Sequence, residues 1–553
     1  MKGYNGMRTC LLIRLVVAIL FALPSAPARV AVPDRGYDVE EKGIREIQAD
    51  LEAGRVSSET LVRSYLKRIF RIDRAGPQLH AVLALNANAI SDARRLDAER
   101  RNGHLRGPLH GIPILLKDNI ESNDSTATTA GSLALLANAT HRDAAVVRRI
   151  KDAGGIILGK NNLAEWGLIR SSRPIDAWSA VGGIVKNPYA LDRSPCGSSS
   201  GTAVAVAASL ATVGVGTETN GSITCPASYN DIVGLKPTVG LVSRTSVIPI
   251  SRSQDTPGPL GRSVTDVAIL LTVIAGSDSQ DPMTQLADLH KVDYRQSVAH
   301  PSLNGKRLGV LRYATGFSAA VDLLFEQSLE AMRQRGVQIV ELPDFKPPES
   351  MWPREMILLR TEFKDAINQY LATTSKSVLT RTLADVIQFN RNSAREMMLF
   401  GQEGFEEAQS TGGITDPSYL AARESLHRDL ADNGIDALVD RNSLDALIAP
   451  TFGPPYRLDL VTGRHESGDA ASLPAIAGYP HLTVPMGFIN GLPVGLSFIG
   501  KAWSEPQLLE LGAAFEQAIQ ARRRPSYTPS VESSLVFRAV LKPIGQLNGK
   551  HSD

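Results

Sequence analysis

The sequence has little excess charge, few cysteines and no long apolar run beyond its N-terminus. Basic side chains outnumber acidic ones by only two, which gives no indication of a nucleic-acid or acidic partner. No segment after residue 23 sustains the run of about 20 apolar residues that a membrane-spanning helix needs. Repeats, heptads and low-complexity segments are absent, which argues against solenoid and coiled-coil architectures. The 553 residues therefore describe a soluble globular protein with a substantial core.

The N-terminus has the pattern of a secretory leader. An apolar segment at residues 15–23 is followed by Ala26-Pro27-Ala28, a small-x-small cleavage site. The basic residues that precede the apolar segment are Lys2, Arg8 and Arg14. We predict a signal peptide over residues 1–28 and export to the periplasm or the exterior, with an uncleaved anchor as the open alternative.

The chain has three cysteines, of which Cys10 lies within the predicted leader. An exported protein could pair the other two, Cys196 and Cys225, as a disulfide. Each can equally serve as a small buried apolar residue. We favour free thiols at both positions.

Helical and strand patterns alternate along the chain, which favours an α/β architecture. Helical spacing at residues 146–153 stops at Gly154-Gly155, and a strand pattern follows at 156–158. Other predicted elements are two helices within 40–71 separated at Gly54, a strand at 82–85, a helix at 87–102, strands at 307–311 and 337–342 around a helix at 320–334, and a mostly helical segment at 353–440.

Three motif matches lack the context that their chemistry needs. Ser199 is central in a G-x-S-x-G match, but the residues before it indicate a loop rather than the strand of a nucleophile elbow. Residues 154–160 match a phosphate loop, yet Asn161 replaces the magnesium-binding hydroxyl and a strand pattern lies inside the match. Ser64 and Lys67 match S-x-x-K without its companion motifs.

The candidate chemistry lies in two serine-bearing turns and one lysine. The turns span residues 194–202 and 217–223, with small apolar residues between them. Upstream, an apolar run at residues 112–116 ends in Lys117. Two serines and a lysine brought together would make a hydroxyl nucleophile with a nitrogen base.

Four motifs in order resemble the amidase signature family of serine hydrolases, and bacterial peptide amidases most of all. They are G-I-P-I-L-L-K-D-N at 111–119, S-P-C-G-S-S-S-G at 194–201, T-E-T-N-G-S-I at 217–223 and V-G-L-K-P-T at 233–238. The resemblance spans roughly residues 40–522. It implies a mixed, twisted β-sheet core covered by α-helices on both sides, with residues 29–553 as a single amidase domain.

The resemblance also implies roles for individual residues. Ser222 is the expected nucleophile, Ser198 the bridging serine after a cis peptide, and Lys117 the base, with burial lowering the lysine pKa toward neutrality. Ser199 is either a hydrogen-bond partner of this triad or a plain turn residue. The expected oxyanion donors are the backbone N–H groups of Thr219, Asn220, Gly221 and Ser222. We expect no metal or organic cofactor.

Three positions depart from the common family pattern, which has Gly at 200 and 220 and Asp at 218. This chain has Ser200, Asn220 and Glu218 instead. Asn tolerates positive φ better than most residues, so Asn220 is expected to preserve the loop. It could also narrow the pocket beside the nucleophile, which leaves the substrate open.

We therefore expect an exported amidase that cleaves C-terminal peptide amides or small amides to carboxylate and ammonia through an acyl-enzyme. The helical segment at 353–440 and the loops near Tyr479 are candidates to shape its pocket. An amidotransferase subunit that works with cytosolic partners and a non-catalytic binding protein on the same fold remain alternatives. We expect no nucleic-acid partner and no membrane span after leader removal, and the oligomeric state stays open.

Overall fold

The computed structural model describes residues 37–533 together with Phe537 and Leu541. The predicted leader at 1–28 lies outside the described residues, so it stays a prediction. The strands are β1 (Val82–Leu85), β2 (Pro113–Lys117), β3 (Ile156–Asn161), β4 (Trp178–Ser179), β5 (Gly183–Ile184), β6 (Val213–Glu218), β7 (Val233–Lys236), β8 (Thr256–Gly261), β9 (Arg307–Leu311), β10 (Gln338–Leu342), β11 (Ala446–Pro450), β12 (His481–Ile489) and β13 (Leu492–Ile499).

Seventeen α-helices lie among and around these strands in the described part of the chain. They are α1 (Ile44–Glu52), α2 (Ser58–Arg68), α3 (Ala89–Arg101), α4 (Ala145–Asp152), α5 (Ser200–Ala207), α6 (Thr224–Tyr229), α7 (Val264–Ile274), α8 (Ala287–His290), α9 (Ala319–Arg333), α10 (Met351–Ala372), α11 (Leu383–Arg391), α12 (Ala394–Met397), α13 (Glu403–Ser410), α14 (Pro417–His427), α15 (Ala437–Asn442), α16 (Ser472–Ala477) and α17 (Glu505–Ile519). A π-helical turn at Ile69–Arg74 extends α2, and another at Arg428–Asp436 joins α14 to α15.

Eleven strands form one mixed sheet in the order β1-β3-β2-β6-β8-β7-β12-β13-β11-β9-β10, and β4 pairs with β5 alone. The pairs β3/β2, β2/β6, β11/β9 and β9/β10 are parallel, and the others are antiparallel. Helices α5 and α6 pack together on strands β6 and β7, while α7, α9 and α17 form a second layer against β8 and β12. The expected mixed α/β fold is confirmed.

The local rules read from the sequence account for several boundaries. Gly54 adopts φ +67° after α1, and Ser57 caps α2 by accepting a hydrogen bond from Thr60 N at 3.1 Å. β3 lies inside the phosphate-loop match, as its apolar residues indicated. Lys67 is exposed on α2, which suits a solvated residue. Between residues 351 and 442 the chain is mostly helical, from α10 to α15.

The centre of the sheet positions the candidate site. β2 and β6 are parallel neighbours, with Leu116 opposite Val215, so their carboxyl ends meet at one edge of the sheet. Both strands are fully buried, which explains the near-continuous apolar run that leads to Lys117. Across residues 37–533, the helices are all too short or too polar to cross a membrane.

Candidate active site

The amino group of Lys117 is surrounded by hydroxyl and carbonyl oxygens. Lys117 ends β2 and is 1% exposed. Its Nζ lies 2.7 Å from Ser198 Oγ, 2.9 Å from Thr217 Oγ1 and 3.0 Å from Thr217 O. Burial lowers the lysine pKa to about 7, against the opposing negative charges of Asp255 and Glu218. The amine is therefore partly unprotonated near neutral pH, which is the state that a base requires.

Ser198 lies in the turn that leads into α5. The Gly197–Ser198 peptide bond is cis, and the Ser198 carbonyl accepts a hydrogen bond from Ala164 N at 3.0 Å. A Cβ at position 197 would lie 3.1 Å from the Ala164 side chain, so this close approach favours glycine. The turn thus holds the Ser198 hydroxyl, 1% exposed, against the lysine amine.

Ser199 connects the two serine-bearing turns. Its Oγ donates to Thr217 O at 3.0 Å and accepts from Thr217 N at 3.3 Å. Its backbone N–H donates to Ser222 O at 3.2 Å. Ser199 is therefore bonded to both the end of β6 and the Ser222 backbone. By contrast, the Ser200 hydroxyl is buried without a hydrogen-bond partner among the described residues.

Ser222 follows β6 and precedes α6. It is 6% exposed, and Gly221 before it adopts φ +76°. The Glu218 carboxylate accepts hydrogen bonds from Ile223 N at 2.7 Å and Thr224 N at 3.0 Å. These bonds satisfy N–H groups at the start of α6 and fix the turn that presents Ser222.

The four N–H groups from Thr219 to Ser222 donate no hydrogen bond within the described part of the chain. The side chains of the same turn are instead well anchored. Thr219 Oγ1 donates to Asp255 Oδ1 at 2.6 Å, and Gln254 Nε2 donates to Thr219 O at 3.2 Å. The turn is thus held by its side chains and carbonyls, which leaves its N–H groups available.

The expectation that Asn220 preserves the loop through its backbone is wrong. The left-handed residue of this turn is Gly221, and Asn220 is not among the residues with positive φ. Asn220 is instead held through its side-chain amide, which donates to Glu355 Oε1 at 2.9 Å, while Ser472 Oγ lies 3.2 Å from its Oδ1. Its role here depends on hydrogen bonding across the fold, which the local backbone rule could not reveal.

The expectation of free thiols is also wrong, because Cys196 and Cys225 form a disulfide with a Cα–Cα distance of 5.9 Å. Both cysteines are buried beside Tyr229 and Phe452. Cys196 lies two residues before Ser198 and Cys225 three residues after Ser222. Cys196 and Cys225 are 29 positions apart, and the chain between them returns through α5 and β6 to the same place, a proximity that spacing alone does not give.

A cavity of about 1320 Å³ adjoins the site, and Thr217 and Thr219 form part of its wall. Helices α10 and α14 contribute Leu358 and Leu420, and the loop between α16 and β12 contributes Tyr479. The helical segment and the Tyr479 loop therefore shape the pocket as expected. Within residues 37–533 no cluster of three or more His, Cys, Asp or Glu side chains has the arrangement of a metal site.

Sequence reasoning missed the residues that hold the Ser222 turn from outside its motif. Asp255 lies within the part of the chain that resembles the family, but its bond to Thr219 could not be anticipated. Gln254, Glu355 and Ser472 carry no sequence signal, since each contributes a single polar side chain from a distant element.

The candidate site is thus a buried cluster of one lysine and several serines at the edge of a mixed sheet, an arrangement that suits an α/β enzyme. The Amidase family profile matches residues 60–509. The chain therefore belongs to the amidase signature family of enzymes, as its motifs predicted.

Named relatives span almost the whole chain. It is 39% identical over 502 residues to a probable amidase of Arabidopsis thaliana, covering 89% of this chain and 92% of that protein. It is 32% identical in sequence to an amidase family protein from Bacillus anthracis, whose crystal structure it matches with a TM-score of 0.78, covering 88% of this chain and 93% of that chain. This chain is 47% identical in sequence to the native peptide amidase from Stenotrophomonas maltophilia. Its structure matches the X-ray structure of that protein with a TM-score of 0.83, covering 88% of this chain and 99% of that chain.

Proposed function

We propose that the protein is an exported serine amidase that hydrolyses C-terminal peptide amides or other small amides to carboxylate and ammonia. The observation that carries this proposal is the 2.7 Å contact between the buried Lys117 amine and Ser198 Oγ, beside the turn of Ser222. The similarity to a peptide amidase and the large adjoining cavity support a peptide amide as substrate.

In the proposed acylation step, Ser222 is the nucleophile. Its Oγ bonds to the substrate carbonyl carbon as its proton passes to Ser198 and the Ser198 proton passes to neutral Lys117. The carbonyl oxygen becomes an oxyanion, for which the N–H groups of residues 219–222 are the proposed donors. One such donor contributes about 3–4 kcal/mol to transition-state stabilisation.

Breakdown of the tetrahedral intermediate cleaves the C–N bond. The Lys117 ammonium returns the proton through Ser198 to the leaving nitrogen, which departs as ammonia. Water then attacks the Ser222 ester while its proton follows the same route to Lys117, and Ser222 regains a proton as the carboxylate leaves. One amide and one water thus give one carboxylic acid and one ammonia, which become carboxylate and ammonium when the acid proton passes to ammonia in water.

Export belongs to this proposal as well. The leader pattern at residues 1–28 supports it, and a buried Cys196–Cys225 disulfide suits an oxidising compartment. Expression with the full leader, followed by fractionation and N-terminal sequencing, should recover a shortened chain outside the cytoplasm. Full-length protein confined to the cytoplasm would contradict export without affecting the chemistry.

The catalytic proposal is tested by ammonia release from a panel of amidated peptides and simple amides. Ser222→Ala should abolish release, whereas Ser200→Ala should leave it close to wild type because the Ser200 hydroxyl has no hydrogen-bond partner among the described residues. Turnover that persists in Ser222→Ala contradicts the mechanism.

Two further measurements separate the alternatives. A serine-directed probe should label the wild type but not Ser222→Ala, and a wild type that resists the probe supports a non-catalytic binding protein. Ammonia transfer to misacylated tRNA only in the presence of partner proteins supports the amidotransferase alternative.

A further inference from the structure

A buried glutamate on a covering helix contacts the turn of Ser222. Glu355 lies in the first turns of α10 and has no exposed surface. Its Oε1 accepts a hydrogen bond from Asn220 Nδ2 at 2.9 Å and another from Gln254 Nε2 at 2.9 Å. One carboxyl oxygen therefore joins the Ser222 turn to the segment that precedes β8.

Both partners of Glu355 fix residues whose N–H groups are the proposed oxyanion donors. Asn220 is itself one of these residues, and its side chain is anchored by Glu355 and by Ser472. Gln254 Nε2 also donates to the Thr219 carbonyl at 3.2 Å, so it holds the peptide that carries the Asn220 N–H. Glu355 thus acts on that one peptide through two separate side chains.

Burying the Glu355 carboxyl group costs free energy, because its surroundings stabilise the charged form poorly. Its hydrogen-bond donors are neutral amides, and Oε2 has no partner among the described residues. Burial, reinforced by the negative charge of Asp469, raises the Glu355 pKa to about 7. An apolar side chain of similar size would avoid the cost of burying this group. The hydrogen bonds from Asn220 and Gln254 are therefore what offsets the cost of burying this glutamate.

We infer that Glu355 is a positioning residue for the oxyanion loop, which it orients through Asn220 and Gln254. The inference rests on the proposed function, since it concerns the same loop. It also accounts for Asn220, where the common family pattern has Gly and therefore offers no side chain to hold. Asn220 and Glu355 act as a pair in this chain.

The first test compares two replacements of similar size. Glu355→Leu removes the hydrogen-bond acceptor from both amides. We expect kcat for a peptide amide to fall tenfold to hundredfold while KM changes less than threefold, because the variant loses stabilisation of the transition state rather than of bound substrate. Glu355→Gln keeps a carbonyl acceptor at this position and should retain at least a third of kcat. Thermal unfolding of both variants checks that the fold is kept.

The second test exchanges the hydrogen-bond donor and acceptor between positions 220 and 355. Asn220→Asp places another acid beside Glu355 and Asp469, and we expect kcat to fall at least thirtyfold. In the double variant Asn220→Asp/Glu355→Gln, the glutamine amide can donate to the new carboxylate and so restores a hydrogen bond between positions 220 and 355, although Gln254 loses its acceptor because both wild-type bonds end on the one oxygen Oε1. The kcat of this double variant should be at least tenfold higher than that of Asn220→Asp. A merely structural role for Glu355 does not predict this increase.

Three results overturn the inference: Glu355→Leu within threefold of wild-type kcat, Glu355→Gln as impaired as Glu355→Leu, or a double variant no faster than Asn220→Asp. Each is measured against an active wild type, so it leaves the proposed function intact. A wild type that releases no ammonia from any amide removes the proposed function first, and the inference with it.

Discussion

The Lys117 amine and the Ser198 hydroxyl lie 2.7 Å apart although the two residues are 81 positions apart in sequence. The contact forms because β2 ends beside β6 and the turn before α5 folds back over that edge of the sheet. Ser199 then bonds this turn to the Ser222 backbone at 3.2 Å. The Lys117 amine and the two serine-bearing turns are thereby brought to one edge of the sheet.

The first prediction concerns pH. Because the lysine pKa is lowered to about 7, the amine is protonated and unable to accept a proton below that pH. We expect kcat/KM for a peptide amide to rise about tenfold per pH unit below 7 and to level above it. Steady-state rates between pH 5.5 and 9 test this, with thermal unfolding at each pH as control. A flat profile across pH 7 would count against Lys117 as the base.

The second prediction is that Lys117→Met removes activity but makes the protein more stable. With a pKa of about 7 when folded and 10.5 when unfolded, Lys117 binds a proton more readily in the unfolded chain between these values. Wild-type stability therefore rises with pH across that window. At pH 7 the variant should gain about 1–3 kcal/mol, after allowing for lost hydrogen bonds to Ser198 and Thr217.

Urea denaturation at pH 7 and pH 9.5 measures this gain, which should shrink at the higher pH. Lys67→Met is the matched control, since Lys67 is exposed on α2 and its replacement should change stability by less than about 0.5 kcal/mol. A Lys117→Met protein less stable than wild type at both pH values contradicts the prediction.

Sequence patterns predicted the parts of this molecule that local rules or family motifs determine. The alternation of elements indicated the α/β fold, and motif order identified Lys117, Ser198 and Ser222 as candidates. The patterns could not predict contacts that depend on the path of the chain. The disulfide is one such contact, because spacing gives no distance between Cys196 and Cys225.

The hydrogen bond between Asn220 and Glu355 is another. Its two residues are 135 positions apart, and neither α10 nor its packing can be read from the Ser222 motif. Local reasoning assigned Asn220 a backbone role, whereas its side chain forms the contact. Residues that position a site from a distant element leave no periodicity or motif to recognise.

The third prediction concerns the disulfide, which joins the turn of Ser198 to α6 after Ser222. Closing a loop with a sequence separation of 29 restricts the unfolded chain, so Cys196→Ser/Cys225→Ser should lower the free energy of unfolding by about 3–4 kcal/mol. We expect kcat to fall only twofold to tenfold, because the Ser199–Ser222 hydrogen bond still connects the turns. Urea denaturation with and without a reductant tests this. The reductant should destabilise the wild type and leave the double variant unchanged.

The fourth prediction concerns substrate size, and it depends on an exposed apolar residue of the cavity. Leu420 is 43% exposed on α14 and lines the cavity, so it can cover an apolar side chain of a bound peptide amide. Removing about 40 Å² of apolar contact costs about 1 kcal/mol, so Leu420→Asp should lower kcat/KM for such a peptide roughly fivefold. Turnover of a small amide such as acetamide should be unaffected. Leu379→Asp is the matched control, since Leu379 is 87% exposed and lies outside the cavity lining. Equal losses on both substrates would mean that Leu420 affects the reacting centre rather than the peptide chain.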